Sequence, residues 1–180
     1  MDGAADPTRS PMPPPTPQDR FLSLLDEHRK ILYKIAASYC RNPADREDLA
    51  QEMVVQLWRS FDSYDDRCRF STWMYRVALN VAISHQRREV RRSRHTVPAA
   101  ESILEIAAEE ADSTAQDDDL RRLRQLVEQL GPLDRALVLL YLDGNRYDAI
   151  AEVLGISETN VGTKLGRIKQ RLRRGLLRTA

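Results

Sequence analysis

Trp73, Arg76, Asn80 and Arg87 fall within one narrow arc when residues 70 to 88 are wound as a helix. An aromatic ring stacks on a base, a guanidinium neutralises phosphate and an amide reads a base edge, so the set suits unstacked nucleotides. The same spacing also allows Trp73 to lie partly in a core, the commoner place for a helical Trp. A second set is acidic: Asp48, Gln51, Glu52 and Val55 share one face, opposite the apolar stripe Leu49, Met53, Leu57 and Phe61. Such a face either meets a partner or is simply solvated. A third set, Thr159, Asn160, Thr163, Lys164, Arg167 and Gln170, surrounds the exposed side of a C-terminal helix. Within it Asn160 and Arg167 suit base edges, while Thr163 and Lys164 suit phosphate or backbone contacts.

The elements that must position these residues are all helical. A first helix is expected over Arg20 to Tyr39, burying Phe21, Leu24, Leu25, Leu32, Ile35, Ala36 and Tyr39. The acidic set sits on a second helix, with Asn42 as its cap and Pro43 in the first helical position. The third opens after Phe70, with Ser71 as N-cap, Phe70 stapling onto Tyr75, and Met74, Val77, Ala78 and Val81 buried. Leu120, Leu123, Val127 and Leu130 predict a fourth helix, ended by Gly131 and Pro132. A short apolar helix follows over Leu133 to Leu142, broken at Asp143 and Gly144. Tyr147 to Gly166 then carries a helix-turn-helix pattern: Ile150, Ala151 and Leu154 on one helix, Gly155 at the turn, Ser157 capping the next. In that last helix Val161, Leu165, Ile168 and Leu172 form the buried stripe, and its N-terminal half is the part that enters a major groove. Gly162 and Gly166 each weaken an isolated helix by about 1 kcal/mol relative to Ala. They either allow close backbone approach to DNA or are tolerated drift.

Composition sets the frame. The chain has 180 residues and a net charge of +1, but the near balance conceals segregation. His85 to Arg94 holds five arginines and one glutamate, Thr96 to Asp119 holds eight acidic residues and no Lys or Arg, and Lys164 to Arg178 holds seven basic residues and no acidic ones. Basic blocks at two sites beside an even total fit a DNA binder that also has a protein partner. Cys40 and Cys68 are too few for a disulfide framework, and His28, His85 and His95 have no paired metal-ligand spacing. No cofactor is expected. No nucleophile with its base and no phosphate-cradling glycine loop is present, which argues against an enzyme. The absence of a long apolar run and of a secretory leader points to the cytoplasm.

These breaks divide the chain into a Pro-rich leader at 1–19, a helical domain at 20–94, an acidic linker at 95–119 and a helix-turn-helix domain at 120–178. The fold class is all-α, two small helical domains on one linker. The linker is expected to stay extended through self-repulsion rather than rest on the basic faces, although Ile103, Leu104 and Ile106 permit a short helix. The leader is a polyproline-like tail or a docking segment.

D-L-A-Q-E at 48 to 52, Trp58, F-D-S-Y-D at 61 to 65 and F-S-T-W-M-Y-R-V-A-L-N at 70 to 80 together resemble region 2 of the extracytoplasmic-function group of bacterial sigma factors. Leu126 to Arg174 resembles sigma region 4. The resemblance implies a transcription initiation factor that binds core RNA polymerase and promoter DNA. It assigns Asp48, Gln51, Glu52 and Trp58 to the beta-prime clamp helices, and the C-terminal region to the minus-35 element and the beta flap. It assigns the loop Asp65, Asp66, Arg67, Cys68 and Arg69, with Trp73, Arg76, Asn80 and Arg87, to the minus-10 element, and Thr159, Asn160, Thr163, Lys164 and Arg167 to minus-35. An anti-sigma factor is a further implied partner. The chain departs from the family at Asp66 to Arg69, where small and glycine-containing residues are usual, and after Ser157, where S-E-T-N-V-G replaces the commoner pattern. The alternative is a free-standing helix-turn-helix regulator. It accounts for residues 147 to 174 but gives no reason for the acidic face or the motif at 70 to 80.

Overall fold

The computed structural model describes residues 16–95 and 115–177. They form seven α-helices and a single 3₁₀ turn: α1 Pro17–Tyr39, α2 Pro43–Ser60, the turn Phe61–Ser63, α3 Phe70–His95, α4 Ala115–Glu128, α5 Pro132–Leu142, α6 Tyr147–Leu154 and α7 Glu158–Leu177. The leader up to residue 15 and residues 96–114 of the acidic stretch lie outside the described residues.

Local chemistry explains most boundaries. The Thr16 hydroxyl accepts from the Asp19 backbone N–H at 3.1 Å, and the Asp19 carboxylate accepts from the Thr16 N–H at 3.0 Å. This capping box, with Pro17 at the first position, starts α1 three residues before the expected Arg20. Asn42 caps α2 as expected, its side-chain oxygen accepting from the Ala44 N–H at 2.9 Å. Ser71 is not the cap of α3. The helix already includes Phe70, and the Trp73 N–H donates to the Arg69 carbonyl at 3.1 Å, so the chain enters the helix two residues earlier. Phe70 accordingly takes His28, Phe61, Tyr64 and Trp73 as its ring neighbours, not Tyr75. Likewise α4 begins at Ala115, inside the stretch expected to be linker.

In the N-terminal half α1, α2 and α3 pack on one another around Ile35, Leu49, Met53, Leu57, Met74 and Leu79, all at most 1% exposed. Each such side chain contributes about 1.5–3 kcal/mol of burial. One end is closed by rings: Phe21, Phe61, Tyr64, Phe70 and Trp73 lie with neighbouring centroids 5.1 to 6.4 Å apart.

The C-terminal half is organised around α5, which is apolar on nearly every side and therefore buried on nearly every side. It packs on α6 and α7 and, across the molecule, on α1 and α3. The two halves thus share a continuous core. Arg135 of α5 is 4% exposed. Its guanidinium donates to the Ser38 carbonyl at 2.9 Å and to the Glu128 and Leu130 carbonyls, satisfying acceptors that the ends of α1 and α4 leave free. It also lies 5.3 Å from the centre of the Tyr39 ring, while the Tyr39 hydroxyl donates to the Pro132 carbonyl at 2.7 Å.

Candidate docking face, loop and nucleic-acid faces

On α2, Asp48 and Gln51 are exposed, whereas Glu52 is half-buried. Both Glu52 oxygens accept from Arg88 of α3, at 2.7 and 2.8 Å, so one charge of the expected acidic face is already balanced within the protein. Trp58 is 46% exposed, its ring 5.1 Å from that of Phe21. Beside Gln51 runs an open groove of about 1130 Å³ between α1 and α2, lined by Leu22, Leu25, Tyr33, Ala37 and Val55. Sequence reasoning passed over this groove. Its signal was available in Leu22 and Tyr33, large apolar residues that fall off the buried stripe of α1 and stay exposed.

The loop Asp65 to Arg69 leads into α3 and is tied at several points. Asp66 has φ +60°, alone among the described non-glycine residues in having a positive value. Arg20 Nη2 of α1 donates to both Asp66 oxygens, at 2.7 and 2.6 Å. That hydrogen bond holds the Asp66 carboxyl below the ordinary Asp range. The Tyr64 hydroxyl donates to the Cys68 carbonyl at 3.2 Å, and Arg76 Nη2 approaches Cys68 Sγ at 3.8 Å. Arg67 pairs with its neighbour Asp65, at 2.9 Å, and both Arg67 and Arg69 are exposed.

Of the set expected on one face of α3, Arg76, Asn80 and Arg87 are exposed. Trp73 is not. It is 7% exposed, with its ring 5.4 Å from both Tyr64 and Phe70. Helical angle places it near Arg76, but it lies in the first turn, where Phe61 of the preceding 3₁₀ turn, Tyr64 and Phe70 pack around its ring. Trp73 therefore belongs to the aromatic cluster that closes this end of the core.

Arg76 sits where the two halves meet, 3.5 Å from Glu152 of α6. Next to it, the Tyr75 hydroxyl and Lys34 both donate to Asp143 at the end of α5. Burial pushes the Tyr39 and Tyr75 phenols far above the ordinary tyrosine value, and the Asp143 hydrogen bond and charge push Tyr75 further. Both hydroxyls remain donors at neutral pH.

The helix-turn-helix forms as its residues dictate. Gly155 ends α6 at φ +66°, ψ +36°, a conformation costly for a residue with a Cβ, and the Ile156 N–H closes back on the Ala151 carbonyl at 3.1 Å. Ser157 accepts from the Asn160 N–H at 3.3 Å and starts α7. Val161, Leu165 and Ile168 are buried, while Thr159, Asn160, Thr163 and Arg167 are exposed. Lys164 departs from its expected fully exposed place: it is half-buried and drawn to Asp134 of α5 at 3.7 Å. Among the described residues no cluster of His, Cys, Asp or Glu has metal-binding geometry, and no helix is long and apolar enough to cross a membrane.

Residues 24–92 match the family described as Sigma-70 region 2, and residues 120–172 match Sigma-70 region 4. The chain is 27% identical over 175 residues to the ECF RNA polymerase sigma factor SigW of Bacillus subtilis (strain 168), covering 88% of this chain and 90% of that protein. It is 30% identical over 161 residues to the ECF RNA polymerase sigma factor SigK of Mycobacterium sp. (strain KMS), covering 88% and 80%. Its fold is similar to that of the sigma factor RpoE solved with the anti-sigma factor NepR from Bartonella quintana, at a TM-score of 0.66 and 22% identity over 87% of this chain and 96% of that one. It is similar also to CnrH solved with the cytosolic domain of CnrY, at 0.64 and 22% identity over 91% of each. The chain belongs to the ECF RNA polymerase sigma factors and acts in transcription initiation.

Proposed function

We propose that residues 20–94 and 120–178 work as two separable units, one docking polymerase and capturing the melted minus-10 strand, the other reading minus-35 as duplex. In the first unit Asp48, Gln51, Glu52 and Trp58, beside the groove between α1 and α2, meet the beta-prime clamp helices. The loop Asp65 to Arg69, with Arg76, Asn80 and Arg87, receives bases freed from the minus-10 duplex. In the second, Asn160 and Arg167 read base edges, Thr159, Thr163 and Lys164 hold the phosphate backbone, and the domain touches the beta flap.

The observation that carries this reading is the pair of exposed polar faces, Arg76, Asn80 and Arg87 on α3 and Thr159, Asn160, Thr163 and Arg167 on α7, each mounted on a buried apolar stripe. A free-standing regulator needs only the second. Unstacking bases costs a few kcal/mol per step, so a strand-binding face must offset it with stacking and hydrogen bonds. The chain performs no covalent chemistry of its own, works in the cytoplasm, and is held in check by an anti-sigma factor, as its structural relative RpoE is captured with the anti-sigma factor NepR.

Reconstituted transcription tests the whole reading. Core polymerase with this chain initiates at a discrete set of promoters from a genomic library, and Asp48→Arg abolishes both core binding and initiation with helical content kept. Duplex binding without any initiation would favour the regulator.

A further inference from the structure

We propose that Arg20 is a positioning residue for the loop Asp65 to Arg69, and so sets which base of the melted strand that loop accepts. This rests on the reading that the loop faces that strand, and goes beyond it by placing a determinant of base choice on α1, outside the residues matched to either sigma region.

Asp66 occupies the left-handed region at φ +60°. Asp enters that conformation more readily than most residues with a Cβ but still at a cost, which a contact that fixes its carboxylate offsets. Arg20 makes that contact: its Nη2 reaches both carboxylate oxygens, at 2.7 and 2.6 Å. Its guanidinium carbon lies 5.9 Å from the centre of the Phe61 ring and 5.8 Å from that of Tyr64, the residue that precedes the loop. Tyr64 in turn donates to the Cys68 carbonyl, so one cation organises both the turn at Asp66 and the residue that closes the loop. Arg20 itself is fixed in place. Its backbone N–H donates to the Thr16 carbonyl at 3.0 Å, within the capping box that starts α1.

The pair is exposed, with 47% of the Arg20 side chain and 60% of the Asp66 side chain accessible. An ion pair of that kind adds little to global stability. Its effect is therefore on loop shape. The loop's remaining cations, Arg67 and Arg69, are left exposed for a ligand.

Arg20→Met keeps the aliphatic stem and removes the charge. Polymerase holoenzyme carrying this variant is titrated with single-stranded oligonucleotides bearing each of the four bases in turn at every minus-10 position. Core binding and melting temperature stay as in the parent, while the preference for the best base over the next falls by about two- to fivefold, the size expected of an exposed charge pair. Asp66→Gly adopts the positive φ without help, so adding Arg20→Met to it changes nothing further. An unchanged base ranking in Arg20→Met overturns the proposal. So does a uniform loss for all bases with a lowered melting temperature, which would make Arg20 a stability residue. If the double variant Arg67→Ala, Arg69→Ala binds every oligonucleotide like the parent, the loop reading itself fails, independently of Arg20.

Discussion

Burying Trp73 in the aromatic cluster changes what its removal does. Truncation of a buried aromatic typically costs about 3–5 kcal/mol. Trp73→Ala therefore lowers the chemical denaturation midpoint strongly, and any loss of strand binding follows from the lost packing. Asn80, on the same helix but exposed, behaves in the opposite way: Asn80→Ala leaves the unfolding free energy within about 0.5 kcal/mol and weakens single-strand binding. Comparable destabilisation by both variants would remove Asn80 from the proposed strand-binding face. The contrast also marks what periodicity can resolve. Leu49, Met53, Leu57 and Phe61 were legible as core because angle about the helix axis decides their burial. Arg20 and Arg135 were not, because their partners come from segments distant in sequence; Trp73 stayed open between core and surface because Phe61 and Tyr64, which cover it, come from the irregular turn before α3, where helical angle says nothing. A lone Arg on a helix gives no local sign that it will hold a loop or lie under another domain.

At the scale of elements the chain was most legible where a turn requires particular chemistry. Asn42 with Pro43, Gly155 with Ser157, and Gly144 after α5 all punctuate helices where expected. Less legible were starts set by side-chain reciprocity, such as Thr16 with Asp19, and the entry to α3, where Ser71 was expected as the cap and the chain instead turns in at Arg69. Glycines in the helix-turn-helix separate by the same logic. Gly155 needs its left-handed φ, whereas a Cβ at Gly166 would meet nothing within 4 Å. Gly155→Ala should destabilise by about 1–2 kcal/mol, and Gly166→Ala should stabilise by about 0.5–1 kcal/mol through helix propensity. Urea denaturation of the full chain measures both, and a stabilising Gly155→Ala would contradict the turn geometry. If Gly166→Ala nonetheless weakens minus-35 binding, close backbone approach to DNA explains that glycine. Unchanged binding leaves it as tolerated drift.

For the whole molecule, the docking of the two halves limits what the described arrangement can do. Elements centred about 25 base pairs apart are separated by about 85 Å along B-DNA, whereas a compact chain of this length has a radius of gyration of about 16 Å. The halves must part for both faces to engage. The connection between α3 and α4 can span at most about 65 Å when extended, which, added to the dimensions of the two domains, is sufficient. Parting breaks the bonds of Tyr75 and Lys34 to Asp143 and of Arg76 to Glu152, and releases Arg76 from its partner, as the proposed strand-binding role requires. This docking was hard to read from sequence because α5 carries no polar stripe to distinguish its two buried sides, though a helix apolar all round does announce burial. The phenol shifts give the pH dependence. A folded pKa raised above the unfolded value means that the Tyr39 and Tyr75 contributions are fully present below about pH 10 and fade as pH rises beyond it. At neutral pH the double variant Asp143→Ala, Glu152→Ala removes the three side-chain bonds without entering either core, a loss of about 1–3 kcal/mol given their partial exposure. Small-angle scattering should then show a larger radius of gyration with helical circular dichroism unchanged. Apparent affinity for a promoter carrying both elements should rise, because a larger fraction of molecules is already open. An unchanged radius together with unchanged affinity would mean that these bonds do not hold the halves together, and that the shared apolar core around α5 does so alone.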